Sequence, residues 1–186
     1  MKIFKIIIVI IFFWLPQTIF CQDESFNNFN NTIGLKLSNI SGYGLYYNRK
    51  ISEDFKLQLM GAVFYWDYSD TGVKHNNFNY SFGLEIQRNI TKSENVRVYI
   101  LAGAFYYMDD DKGEGTGYYN KTINHSFNVG VGLAGEYYYK RFILSFELGY
   151  KYYEDKLEIT EDNNLPYPVI KRVTKIGTGV GVGFMF

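Results

Sequence analysis

The carboxy-terminal stretch Ile176–Phe186 alternates between two kinds of residue with a period of two. Mostly apolar side chains occupy its even positions through Phe184 and Phe186, and glycine fills its odd positions from Gly177 to Gly183. A period of two indicates a β-strand, although interior glycine normally weakens a strand. A narrow closed barrel explains both faces, because its apolar residues can face lipid while its glycines face a crowded lumen.

Seven earlier segments also read as strands, most of them with a clear alternation of apolar and polar or glycine residues. They are Thr32–Ser38, Gly42–Ile51, Phe55–Asp67, Asn77–Ile90, Val96–Met108, Thr122–Tyr139 and Phe142–Glu154. In Val96–Met108 both faces are apolar, and we favour the orientation that turns Arg97 inward. The sequence therefore predicts an all-β fold, a transmembrane antiparallel up-and-down β-barrel of about eight strands.

The predicted connections alternate in length after the tight first turn at Asn39–Ser41. The short ones are Ser52–Asp54, Thr91–Asn95 and Lys140–Arg141, and the long ones are Tyr68–Asn76, Asp109–Lys121 and Asp155–Ile170. Outer-membrane barrels have short periplasmic turns and long extracellular loops. This alternation predicts a bacterial outer-membrane location with both termini in the periplasm.

Composition excludes several other classes of protein. Aromatic residues make up 19% of the chain and the formal net charge is zero, so no nucleic-acid partner is indicated. A mean hydropathy of −0.17 excludes a bundle of transmembrane helices but is compatible with strands that have one polar face. A secreted lipocalin-type barrel is the rival fold, but its ligand-binding lumen would be apolar, whereas charges and glycines here share one face.

The first 21 residues have the layout of a secretory signal peptide. Lys2 and Lys5 precede the apolar run Ile6–Trp14, which is too short to span a bilayer. We expect cleavage after Cys21, a lead-in over residues 22–31 and a barrel domain over residues 32–186. The alternative is a lipoprotein acylated at Cys21, although Phe20 and Thr18 fit that signal poorly.

Leader, loop alternation and the final aromatic strand together resemble the small eight-stranded outer-membrane barrels of the OmpA/OmpX type. The resemblance covers Thr32–Phe186. It implies that Phe184 and Phe186 form the carboxy-terminal signal that the barrel-assembly machinery recognises. It also implies contact with outer-membrane lipid and lipopolysaccharide. Lys171 and Arg172, at the outer end of the last strand, could bind the lipopolysaccharide phosphates, the alternative being that they are ordinary interfacial cations.

Charged residues of both signs fall on the predicted lumen face: Lys36, Lys56, Glu85, Glu136, Glu147, Lys151 and Lys175. We interpret them as a structural polar cluster whose members pair across the barrel, the alternative being a path for protons or ions. Eight strands leave room only for side chains, and Tyr46 and Phe64 also point inward on this pattern. The chain is therefore not expected to be a general porin.

No catalytic constellation, metal site or cofactor site assembles from the sequence. His125 and Ser126 are adjacent strand residues that point to opposite faces, which argues against a lipid A-modifying enzyme. Asp109–Asp111 fails the spacing of a calcium loop, since Glu114 stands where glycine is needed. A structural or surface-interaction role through the outer loops, with an extracellular partner, is the default expectation, and a narrow channel for small solutes is the other alternative.

Overall fold

The structure, a computed structural model, describes residues 29–70, 72–116, 118–161 and 167–186. The predicted leader and most of the lead-in lie outside these residues. Eight strands follow one another: β1 (Asn31–Ser38), β2 (Gly42–Lys50), β3 (Phe55–Asp70), β4 (Val73–Lys92), β5 (Val96–Gly115), β6 (Tyr118–Tyr139), β7 (Phe142–Glu161) and β8 (Tyr167–Met185). In the described part of the chain no helix has the length and apolar character to cross a membrane.

Each strand pairs antiparallel with its neighbours in the chain, and β8 pairs back onto β1. The closing register runs from Thr32 opposite Met185 to Ser38 opposite Gly179. Short turns permit this meander because a two-residue connection joins antiparallel strands directly. At Lys140 the turn needs a positive φ of 54°. The predicted eight-stranded antiparallel barrel is confirmed.

Apolar side chains cover the outside of the barrel, while polar and small ones fill the inside. On the outer face Leu148 is 61% exposed and Val182 is 54% exposed, whereas the Arg97 side chain on the inner face has no exposure. A soluble barrel of lipocalin type would have the opposite arrangement, so that alternative is wrong. The fold is a transmembrane barrel that uses lipid as the solvent for its apolar face. The inward orientation favoured for Arg97 is also correct.

The predicted long loops are wrong in their extent, because most of their residues continue the strands. Tyr68–Asn76 shrinks to a tight connection between Asp70 and Val73, and Asp109–Lys121 lies almost entirely in β5 and β6. Asp155–Ile170 likewise extends β7 and β8, which pair as far as Ile159 opposite Tyr167. These segments look like loops because both faces meet water, so the apolar alternation ends while backbone pairing continues.

Strands β1 and β2 are only 8 and 9 residues long, whereas β3 to β8 have 16 to 22. On the side towards β2, pairing of β3 ends at Gly61, so the described part of β3 beyond it pairs only with β4. Likewise, among the residues that the structure describes, the part of β8 before Thr178 pairs only with β7. The part of the barrel that continues beyond the first hairpin, here called the barrel extension, therefore has a gap, two strands wide, above that hairpin.

Candidate functional site in the barrel lumen

The inner wall arranges its functional side chains in levels along the barrel axis. Alternate residues of each strand point inward, so inward residues two apart on one strand belong to successive levels. A first level lies around Arg97 towards the chain termini, a second around Lys36 and a third at the first turn. An open vestibule around Lys151 lies beyond the turn.

At the second level the Lys36 ammonium lies between two carboxylates from distant strands. It donates to Glu85 Oε1 and Oε2 at 3.2 and 3.0 Å and contacts Glu147. Lys36 is 2% exposed and Glu85 is fully buried. Gln87 Nε2 donates to Glu85 at 2.6 Å, and Ser38 Oγ donates to Glu147 at 2.6 Å. Buried charges require this degree of pairing and hydrogen bonding.

At the first level Glu136 accepts hydrogen bonds from two cations and a phenol. Arg97 Nη1 donates to it at 3.0 Å and Lys56 Nζ at 3.4 Å, and the Tyr138 hydroxyl also contacts it. Arg97 also donates to Gln87 Oε1 at 2.7 Å, and its guanidinium lies 4.1 Å from the centre of the Tyr99 ring. Gln87 therefore links the two levels.

The two levels are complementary in charge. Lys36 with Glu85 and Glu147 leaves one excess negative charge, and Glu136 with Lys56 and Arg97 leaves one excess positive charge. Five of the seven predicted lumen residues thus meet in one network. The predicted cluster did not include Arg97, Gln87, Ser38 or Tyr138. The alternation of inward and outward side chains along their strands was the sequence signal that could have identified them.

The first turn, predicted as an ordinary tight turn, folds into the lumen instead. Ile40 and Ser41 have no exposed surface, and Ile40 packs with Tyr99, Leu101 and Ala134. Ser38 Oγ accepts hydrogen bonds from the backbone N–H groups of Ile40 and Ser41 at 3.1 and 3.3 Å. We call residues Asn39–Ser41 the lumen plug. The turn lies inside the lumen because β1 and β2 are too short to carry it beyond the other strands. The sequence prediction missed this position.

Glycines on four strands make room for the lumen plug. A Cβ at Gly130 would lie 2.7 Å from Ile40 Cγ2, and one at Gly103 would lie 2.8 Å from Ser41 Cβ. Cβ atoms at Gly177 and Gly83 would overlap the side chain of Ile40 and the backbone of Ser41, respectively. The glycine-rich inner face of β8 is thus explained in part by a turn that approaches it closely.

Beyond the lumen plug lies an open vestibule with a cavity of about 360 Å³. Lys151 and Lys175, the other two predicted lumen cations, lie directly opposite each other on β7 and β8. They share the inward parity predicted for them, but neither joins the carboxylate network described above. Lys151 Nζ instead donates to Asn128 Oδ1 at 3.2 Å.

The remaining predicted residues lie outside the lumen network. The Phe184 ring packs edge-on against Phe142, with centroids 5.6 Å apart, and Phe186 is exposed. Arg172 points outward and donates to Glu154 at 2.6 Å. Lys171 lies on the same, inward face of β8 as Lys175. Phe64 was placed in the lumen by parity, but it lies 50% exposed in the extension of β3.

His125 and Ser126 point to opposite faces of β6, as predicted. His125 Nδ1 is 2.5 Å from the Tyr106 hydroxyl, whereas Ser126 is buried in the vestibule and accepts from Asn128 at 3.0 Å. Asp109 accepts a hydrogen bond from Asn77 at 3.0 Å. Among the described residues, no group of three or more His, Cys, Asp or Glu side chains could hold a metal ion.

Charge pairs also occur on the barrel extension. Lys156 hydrogen-bonds Glu158 and lowers the pKa of that carboxyl, and Glu154 raises the pKa of Arg172 in the same way. Both pairs are largely exposed, so they stabilise the barrel little. They make the surface above the lipid polar and hydrated.

These features define a class of protein, the small transmembrane β-barrel with a filled lumen. Its fold is similar to that of a major outer membrane protein from Thermus thermophilus, with a TM-score of 0.51 and 12% identity over 86% of this chain and 100% of that one. Weaker similarities are to Ail, the attachment invasion locus protein of Yersinia pestis (TM-score 0.45, 19% identity, 84% and 97% covered), and to the N-terminal β-barrel domain of Pseudomonas aeruginosa OprF (0.43, 19%, 84% and 96%). No protein-family model and no curated relative matches the chain.

Proposed function

We propose that the chain is a small outer-membrane protein with a structural or surface-interaction role, with both termini in the periplasm, and that it is neither a general porin nor an enzyme. One observation carries this proposal: two ion-paired levels and the lumen plug fill the barrel, beneath an extension that presents exposed aromatic side chains. Tyr65, Trp66 and Tyr68 on β3 are all at least 46% exposed. Aromatic residues are the common anchors of protein interfaces.

Reconstitution in a planar bilayer is expected to give no large, stable conductance. Arg97, Lys36 and Ile40 occupy successive levels of the lumen and are almost completely buried, so water has no continuous column through which ions could move. Single-channel recording at both voltage polarities measures this. A steady, porin-sized conductance from the folded protein would contradict the proposal.

Trimming an extracellular hairpin is expected to remove surface interaction without unfolding the barrel. Residues 110–123 of β5 and β6 can be replaced by Asn-Gly, because Asp109 pairs with Asn124 and a two-residue turn fits an antiparallel pair. Heat-modifiable gel mobility should persist, while cell adhesion or envelope sensitivity should change. A deletion of the same kind over residues 156–170 tests the second hairpin.

The enzymatic alternative predicts a different outcome for the same cells. Mass spectra of lipid A with and without the protein should be identical if the proposal is correct, and His125→Ala should change nothing. An altered acylation pattern that disappears in His125→Ala would refute the non-enzymatic role. Unchanged lipid A together with unchanged adhesion in both hairpin variants would refute the surface role.

A further inference from the structure

Two lysines face each other across β7 and β8 at the base of the vestibule. Lys151 is opposite Lys175 in the register, and the two Nζ atoms each lie 4.8 Å from the centre of the Tyr153 ring. Lys151 is 7% exposed. Like charges directly opposite each other destabilise a sheet, so this pair needs a local compensation.

Within the described residues, neither ammonium lies within salt-bridge distance of a carboxylate. Every other cation of the predicted lumen cluster has a carboxylate partner at 3.4 Å or closer. Asp155 lines the same cavity and attracts Lys151 electrostatically, but it lies beyond the 4.0 Å of an ion pair from either lysine. The pair therefore presents two cationic donors to the cavity, where an incoming anion would meet both.

Aromatic rings form the other walls of this cavity. Tyr43, Phe105, Tyr107 and Tyr153 line it. The Tyr43 ring packs against Phe105 and Tyr107, with centroids 6.2 and 5.7 Å away. Ser126 and Asn128 add polar groups beside Lys151. Ligand sites typically combine mainly apolar and aromatic walls with a few placed polar groups and occupy roughly 300–1,000 Å³.

We propose that the vestibule is a binding site for a small aromatic carboxylate. The carboxylate accepts hydrogen bonds from Lys151 and Lys175, which neutralises the like-charge pair, and the ring of the ligand packs among Tyr43, Phe105 and Tyr107. The lumen plug closes the site below, since Gly130 lies between Ile40 and the Lys151 side chain. The site therefore holds its ligand at the cell surface rather than passing it through the barrel.

Calorimetric titration of the folded protein in detergent with benzoate tests the site. Benzoate should bind saturably, and benzylamine, which has a similar shape and the opposite charge, should not. Inorganic phosphate should bind at least about tenfold more weakly than benzoate, because it lacks a ring to pack against the aromatic walls. Replacement of either lysine should weaken benzoate binding about tenfold or more, the usual scale of one charge-assisted hydrogen bond.

The variants are Lys151→Met and Lys175→Met, and the matched control is Lys156→Met. Lys156 belongs to the same strand as Lys151 but points outward and pairs with Glu158, so its loss changes the net charge equally and should leave binding unchanged. If Lys151→Met fails to fold, Lys175→Met, at an exposed position, is still expected to weaken benzoate binding. Absence of benzoate binding, equal binding of benzylamine or phosphate, or equal weakening by Lys156→Met would overturn the proposal.

Discussion

Replacement of Lys36 by methionine is expected to lower the free energy of unfolding by about 3–5 kcal/mol, the usual cost of removing one partner from a buried ion pair. The substitution leaves the carboxylates of Glu85 and Glu147 buried in the same level without the cation that lies between them. Urea titration of the folded barrel in lipid, monitored by tryptophan fluorescence and heat-modifiable mobility, measures the change.

Two further variants separate loss of charge pairing from loss of packing. Adding Glu85→Gln and Glu147→Gln to Lys36→Met should restore most of the stability, because the level then holds no unpaired charge. Lys50→Met removes a pair with the exposed Glu53 at the end of the barrel that holds the chain termini and should have no resolvable effect. If Lys36→Met is as stable as the unmodified protein, the network is not required for the fold.

Gly177→Val is expected to displace the lumen plug and to lower the free energy of unfolding by about 1–3 kcal/mol, the usual effect of overpacking. A Cβ at this position overlaps Ile40 Cγ1 and lies 2.9 Å from Asn39 Oδ1. Ile40→Ala in the same background should recover part of the loss, because it removes the overlapping atoms. Urea titration of the two single variants and the double variant gives the coupling free energy directly.

Gly135→Val is the matched control for this cycle. Gly135 belongs to β6, and a Cβ there meets no atom within 4 Å, so its replacement should be nearly neutral. Equal destabilisation by Gly177→Val and Gly135→Val would show that loss of glycine itself matters. Additive effects of Gly177→Val and Ile40→Ala would show that the turn does not press on β8 in the folded protein.

The predictable parts of this structure are those that depend on local alternation. The alternation of side chains between the two faces of a strand depends only on neighbouring residues. It therefore predicts that Lys36, Glu85, Glu136 and Glu147 share the inner face without any knowledge of strand pairing. Parity does not determine how far a strand extends in water, where both faces are polar. For that reason Asp109–Lys121 looked like a loop although it forms strand.

The lumen plug and the vestibule depend on contacts between distant parts of the chain. Ile40 is buried because β1 and β2 end early while β5, β6 and β8 surround their turn, and no local pattern encodes that arrangement. The glycines at positions 130 and 177 were visible in the sequence, but their partner was not. Likewise, the pairing of Lys151 with Lys175 depends on the register between β7 and β8, which the alternation along each strand does not determine.

Within the described residues, the gap above the first hairpin leaves two strand edges without neighbours, and unpaired edges invite sheet-to-sheet aggregation between molecules. Charged residues occupy both edges: Asp67 and Asp70 on β3, and Lys171, Arg172 and Lys175 on β8. A second molecule that added a strand to either edge would have to desolvate these charges. Pro168, near the far end of β8, also has no N–H group to donate to an added strand. The barrel can therefore keep an incomplete outer wall without polymerising through it.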